Sequence, residues 1–128
     1  MFAEKLAQIK KNIENAQANS PFRGEVTIVG VTKNQPVSAA NEIIENGISI
    51  IAENRVQAMK EKAGLLLPSK RHLIGHLQTN KVKYVVGVVD LIESVDRLEL
   101  LQCIEKQAAK RNVTQDILLE VNIGNEES

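Results

Sequence analysis

The stretch 26-VTIVGVTKNQP-36 is an apolar, β-branched run that ends on a lysine. Val26, Ile28, Val29 and Val31 read as one short, largely buried strand, with Asn34-Gln35-Pro36 as the loop that leaves it. Lys33 falls where that strand stops. An ammonium in this place is either a surface charge at the rim of a sheet or a group directed into a site at the strand's carboxyl end. The flanking sequence shows what kind of sheet the strand enters.

Upstream, Phe2, Leu6, Ile9, Ile13 and Ala16 recur at helical spacing and predict an amphipathic helix that stops near Asn19-Ser20-Pro21. Downstream, Val37 to Asn46 is helical, closed by Asn46-Gly47. Ile48 to Ile51 predicts a second strand and Glu53 to Leu66 a helix with Val56, Met59 and Ala63 inward. His72 to Gly75 predicts a third strand, Thr79 to Val86 a short helix, and Val88 to Glu93 a fourth strand. Asp96 and Glu99 have the spacing of a capping box before the stripe Leu98, Leu101, Ile104 and Ala108. Asn112 breaks that helix, and Ile117 to Val121 predicts strand five.

The order is a leading helix, four β-α units and a fifth strand. Such alternation implies an α/β fold of right-handed parallel units. The spacing suits either a doubly wound sheet or a (β/α)8 TIM-type barrel, and a complete barrel needs about 200 residues or more. At 128 residues, five strands cannot close one. A doubly wound domain usually covers its last strand with a helix, whereas 121-VNIGNEES-128 is polar. The expectation is the amino-terminal part of a barrel, with residues 1–128 in one domain.

Sixteen basic residues balance sixteen acidic ones, so no charge excess points to nucleic acid or anionic lipid. No run approaches the ~18 apolar residues of a membrane span, and the first residues lack the continuous apolar core of a signal peptide. One cysteine, Cys103, excludes an internal disulfide and suits a reducing compartment, the cytoplasm being the expectation. Its helical setting favours an inert thiol over a nucleophile. His72 and His76 lie four apart with no carboxylate or cysteine close by in sequence, so no metal site is expected.

Sites in parallel α/β proteins gather at the carboxyl ends of strands. The polar residues there are Lys33, Glu53-Asn54-Arg55, His76 and Gln78, Ser94 and Asp96, and Asn122. They read as a wall of hydrogen-bonding groups around an amine competent to form an imine with an aldehyde. The bland alternative has Glu53 and Asn54 capping a helix, His72 in the core and Lys81 and Lys83 on a wet helix face.

In VTIVGVTKNQP, ENRVQ, HLIGHLQTNKVK, LIESVD and LLEVNIGNEES, the chain resembles the pyridoxal phosphate homeostasis proteins, the YggS/PROSC family. These share a fold with the amino-terminal barrel domain of alanine racemase. The resemblance implies a barrel carrying pyridoxal 5'-phosphate (PLP), with Lys33 as the Schiff-base lysine. Asn54 would lie near the ring, as would the strand-three segment from His72 through Ile74 to Gly75. It further implies PLP homeostasis without turnover, a monomeric complete protein and apo PLP-dependent enzymes as partners. A racemase or decarboxylase of the same fold, or a fragment that binds nothing, are the alternatives. The chain departs from the family pattern at Ala52, where glycine is usual, at Ala58 for glutamate, and at Arg71 for an aromatic residue. Ala52 would crowd its turn if φ were positive there. The family's phosphate-binding groups lie in later strands.

Overall fold

The computed structural model describes residues 1–22 and 24–124; the last four residues of the LLEVNIGNEES motif lie outside them. Helix α1 (Phe2–Ala18) leads into β1 (Gly30–Val31), α2 (Val37–Glu45), β2 (Ile50–Glu53), α3 (Val56–Lys62) and β3 (Lys70–Leu73). A 3-10 helix (Thr79–Tyr84), β4 (Leu91–Val95), α4 (Leu98–Arg111) and β5 (Asp116–Leu119) complete the order. All four strand pairs are parallel, and the strands lie in the order β1-β2-β3-β4-β5. A doubly wound sheet reverses its order at a switch point. This sheet never reverses, so right-handed crossovers place the connecting helices on one face. The fold is thus a singly wound, five-stranded parallel α/β sheet, with β1 and β5 as open edges. No helix among the described residues is long and apolar enough to cross a membrane.

Strand boundaries shift from the sequence reading because neighbouring amides are already engaged. Ile48, expected in strand two, instead caps α2: its N–H donates to Ile43 O (3.3 Å) and that of Gly47 to Ile44 O (3.0 Å), with Gly47 at φ 95°. This Schellman motif delays β2 to Ile50. β1 shortens in turn, since Gly30 and Val31 pair with Ile51 and Ala52 and the edge strand has no second neighbour. Val26 is half exposed rather than buried. Val88 and Val89, expected in strand four, both donate to Val85 O in a turn through Gly87 at φ 78°. The ladder resumes at Asp90, whose N–H meets Arg71 O at 2.8 Å. Asn112, at φ 53°, ends α4 in a second Schellman motif, with Val113 N–H on Ala108 O (3.0 Å).

The expected capping box at α4 does not form. The helix starts from Arg97 without a side-chain cap. Asp96 Oδ1 instead accepts from Arg97 Nη1 at 2.8 Å, while Arg97 Nη2 donates to Leu77 O at 2.7 Å. Ala52 is fully buried in β2 and outside the positive-φ positions, so its methyl group meets no strained turn.

Register explains which residues reach the core. Glu53, Leu73, Ile92 and Ile117 form one transverse row, and Val31, Ala52, His72, Leu91 and Asp116 another on the opposite face. Leu73 and Ile92 meet Met59 of α3, Val82 of the 3-10 helix and Leu100 and Ile104 of α4 in a single buried cluster. Cys103 is half buried against that cluster, its Sγ 3.5 Å from Thr79 O. Arg111 closes the layer by donating to Val86 O and Lys83 O.

Candidate functional site

Lys33 sits in a tight turn that β1 makes as it leaves the sheet. Gln35 N–H donates to Thr32 O at 3.1 Å, and Asn34 takes φ 60° between them. Asparagine is among the few residues that adopt this left-handed conformation readily. The turn chemistry is therefore carried by Asn34, which leaves the preceding position free for a long cationic side chain. Lys33 is exposed, and its ammonium has no hydrogen-bond or ion-pair partner among the described residues.

Lys33, Asn34, Glu53, Asn54, Arg55 and Ala58 line one cavity of about 220 Å³. Two of the expected site residues, Lys33 and Asn54, thus meet in one wall. The lining residues come from the turn after β1, the end of β2 and the first turns of α3, three elements that a singly wound sheet places side by side. Ala58, which departs from the family pattern, lines the same cavity.

His72 and Ile74 lie elsewhere. His72 is half buried on β3, with Nδ1 3.1 Å from Glu93 Oε2 of β4. It is a paired residue on the face away from the helices, rather than a core histidine. Ile74 N–H donates to Glu53 O at 3.0 Å, which continues the ladder one residue beyond β3 and keeps Ile74 in phase with His72. Gly75 follows, and here the backbones touch. A Cβ at Gly75 would stand 2.8 Å from both Asn54 Cα and its carbonyl carbon, and nearer still to the oxygen. Only glycine permits the Asn54 loop to lie there. Ser94, expected at this edge, is buried, and its hydroxyl donates to Gly75 O at 2.6 Å. His76, Gln78 and Asp96 are exposed.

Glu53 is no helix cap. It ends β2 with 4 % of its surface exposed and faces α3. Its Oε2 accepts from the Thr32 hydroxyl and from Lys62 Nζ (2.8 Å), and Lys62 also donates to Thr32 O at 2.8 Å. This triad ties Thr32, the residue that follows β1, to the end of β2 and to α3. Lys62 and Thr32 were invisible as site residues from sequence. Their one signal was polar: a threonine in a β-branched run, and a lysine nine positions after a strand-terminal glutamate. Oε1 of Glu53 is buried and has no hydrogen-bond partner among the described residues.

These features define a parallel α/β protein with a lysine-centred polar site at the carboxyl edge of its sheet, and comparison with known proteins narrows the class. The chain is 41% identical over 129 residues to the pyridoxal phosphate homeostasis protein of Aquifex aeolicus, covering 98% of this chain and 56% of that relative. The protein of the same name from Pasteurella multocida is 32% identical over 131 residues, with the same two coverages. The chain is thus a homologue of the pyridoxal phosphate homeostasis proteins across nearly its whole length, and it spans about half the length of the curated relatives it matches. No protein-family model matches it. Among solved structures it is similar to PipY of Synechococcus elongatus without PLP (TM-score 0.80, 31% identity, 96% of this chain and 54% of that one). It is also similar to PipY with PLP bound (TM-score 0.78, 29% identity, 96% and 55%).

Proposed function

We propose that this chain binds pyridoxal 5'-phosphate as a Schiff base on Lys33 and acts in PLP homeostasis without turnover of its own. The observation that supports this best is the placement of Lys33: an exposed amine on a fixed turn, in the wall of a cavity it shares with Asn54. The residues fit the aldehyde end of the cofactor, because the amine supplies the nucleophile and the Asn54 amide a neighbouring polar contact. When bound, the cofactor supplies an aldehyde that traps amines and a ring that accepts electrons. In this reading His72 and Ile74 flank the ring from the sheet face that Ala52 and Leu91 share.

The relatives' greater length supports a complete (β/α)8 barrel to which these strands contribute the amino-terminal part. We assign the phosphate anchor to sequence matching the relatives' later strands, since loop amides hold such a group most firmly. A monomeric complete protein in the cytoplasm, delivering PLP to apo-enzymes, accompanies this proposal.

The test is an absorbance scan with added PLP, followed by borohydride reduction and peptide mapping. The reduced adduct is expected on Lys33 and lost in Lys33→Ala. Normal yield of a trapped adduct on another lysine in that variant would refute the assignment. Amino-acid turnover by the loaded protein would favour a racemase or decarboxylase instead.

A further inference from the structure

Helices cover one face of the sheet, and parallel strands are ordinarily buried on both. On the helix-free face, Val31, Ala52 and Leu91 are apolar members of a row that His72 interrupts at β3. The His72 side chain is 12% exposed, and its Nδ1 lies 3.1 Å from Oε2 of Glu93, whose side chain is 28% exposed. Leu91 and Glu93 point to the same side of β4, so the pair joins two adjacent strands diagonally. Asp116, the other acid of the row, stands on β5 with Leu91 between it and His72.

A cross-strand pair of this kind contributes about 0.2–1 kcal/mol to a sheet. That use accounts for Nδ1 and leaves the other ring nitrogen unexplained. Nε2 of His72 has no hydrogen-bond partner among the described residues. Its state follows from that of Nδ1. An ionised carboxylate only accepts, so the contact with Glu93 requires Nδ1 to carry a proton. In a neutral imidazole one nitrogen donates and the other accepts. With the proton on Nδ1, the lone pair is on Nε2.

We propose that Glu93 and His72 form a carboxylate–imidazole dyad in which Glu93 holds the proton on Nδ1, so that Nε2 offers an acceptor to a ligand hydroxyl or N–H at the helix-free face. This rests on the reading of that face as the cofactor's and deepens it. His72 is the ligand contact, and Glu93 is a positioning residue that acts through it. An acceptor there suits PLP, whose ring carries a phenolic hydroxyl beside the aldehyde. Without Glu93 the imidazole is free to exchange tautomers, and part of the population turns an N–H toward the ligand's own donor.

The experiment records two-bond 1H–15N correlation spectra of the ligand-free protein labelled with 15N-histidine, at about pH 8.5, where an ordinary histidine is neutral. Exposed His76 is the internal reference, and His72→Asn assigns the two rings. His72 should show a pyrrole-like Nδ1 and a pyridine-like Nε2. Glu93→Ala should move it toward the tautomer mixture of His76, whereas Glu93→Gln, whose amide oxygen still accepts from Nδ1–H, should hold it. A wild-type His72 with its proton on Nε2, or a tautomer unchanged in Glu93→Ala, overturns the proposal. Added PLP should displace the His72 Nε2 resonance more than Nδ1. The borohydride-trapped adduct on Lys33 should fall about threefold in Glu93→Ala and recover in Glu93→Gln. Equal trapping in all three proteins overturns the ligand contact. Absence of any adduct in the wild type would remove the cofactor reading, while the dyad stands or falls on the tautomer spectra.

Discussion

Gly75→Ala adds one methyl group at the point where the loop carrying Asn54 crosses the end of β3. The new Cβ would lie 2.8 Å from Asn54 Cα and from its carbonyl carbon, where ordinary contact begins near 3.4 Å. One backbone must retreat by about 0.6 Å or more, because at shorter range repulsion rises steeply. Neither segment is free to move. Ile74 N–H holds Glu53 O at 3.0 Å on one side, and the Ser94 hydroxyl holds Gly75 O at 2.6 Å on the other. Overpacking of this kind costs about 1–3 kcal/mol, and losing one of these bonds adds about 1 kcal/mol. We expect Gly75→Ala to lose about 2–4 kcal/mol and to weaken cofactor trapping on Lys33 through displacement of Asn54. The assay is urea unfolding followed by far-UV circular dichroism, where the midpoint should fall by about 1–2 M. Gly64→Ala is the control, since a Cβ there meets nothing within 4 Å. A Gly75→Ala midpoint matching that of Gly64→Ala would refute the close-approach reasoning.

Asn34→Val should cost about 1–2 kcal/mol, because a β-branched residue is strained at φ 60°, whereas Asn34→Gly should be near neutral; paired denaturation curves decide this. Lys62→Met strips the partner from a carboxylate whose side chain is 5% exposed, and we expect a loss of about 3 kcal/mol in the same measurement. A change below about 0.5 kcal/mol would show that Thr32 alone satisfies Glu53. Arg111→Ala removes the donors to Val86 O and Lys83 O, so amide exchange at Val88 and Val89 should accelerate about tenfold, with β2 amides unchanged.

Hydrophobic periodicity was enough to determine the number, type and order of the elements in this chain. Five apolar β-branched runs alternating with helical stripes specify parallel units, and turn residues such as Asn46-Gly47 and Asn112 mark where helices end, because left-handed caps demand them locally. The position of Lys33 at the end of an apolar run was likewise legible, whereas its assignment to a cofactor came from the family resemblance and not from the spacing. Tertiary structure decided what depends on partners distant in sequence. The strand starts moved because Ile48, Val88 and Val89 had engaged their amides in caps and turns, a choice between local and ladder hydrogen bonds that composition does not reveal. Strand order excluded the doubly wound alternative. Glu53 changed from a helix cap to the centre of a buried triad only when β2 extended to meet Leu73 and α3 brought Lys62 across it. A hydrogen bond between residues 21 apart, such as that from Thr32 to Glu53, has no periodic signature. It exists because the fold brings the ends of two adjacent strands together.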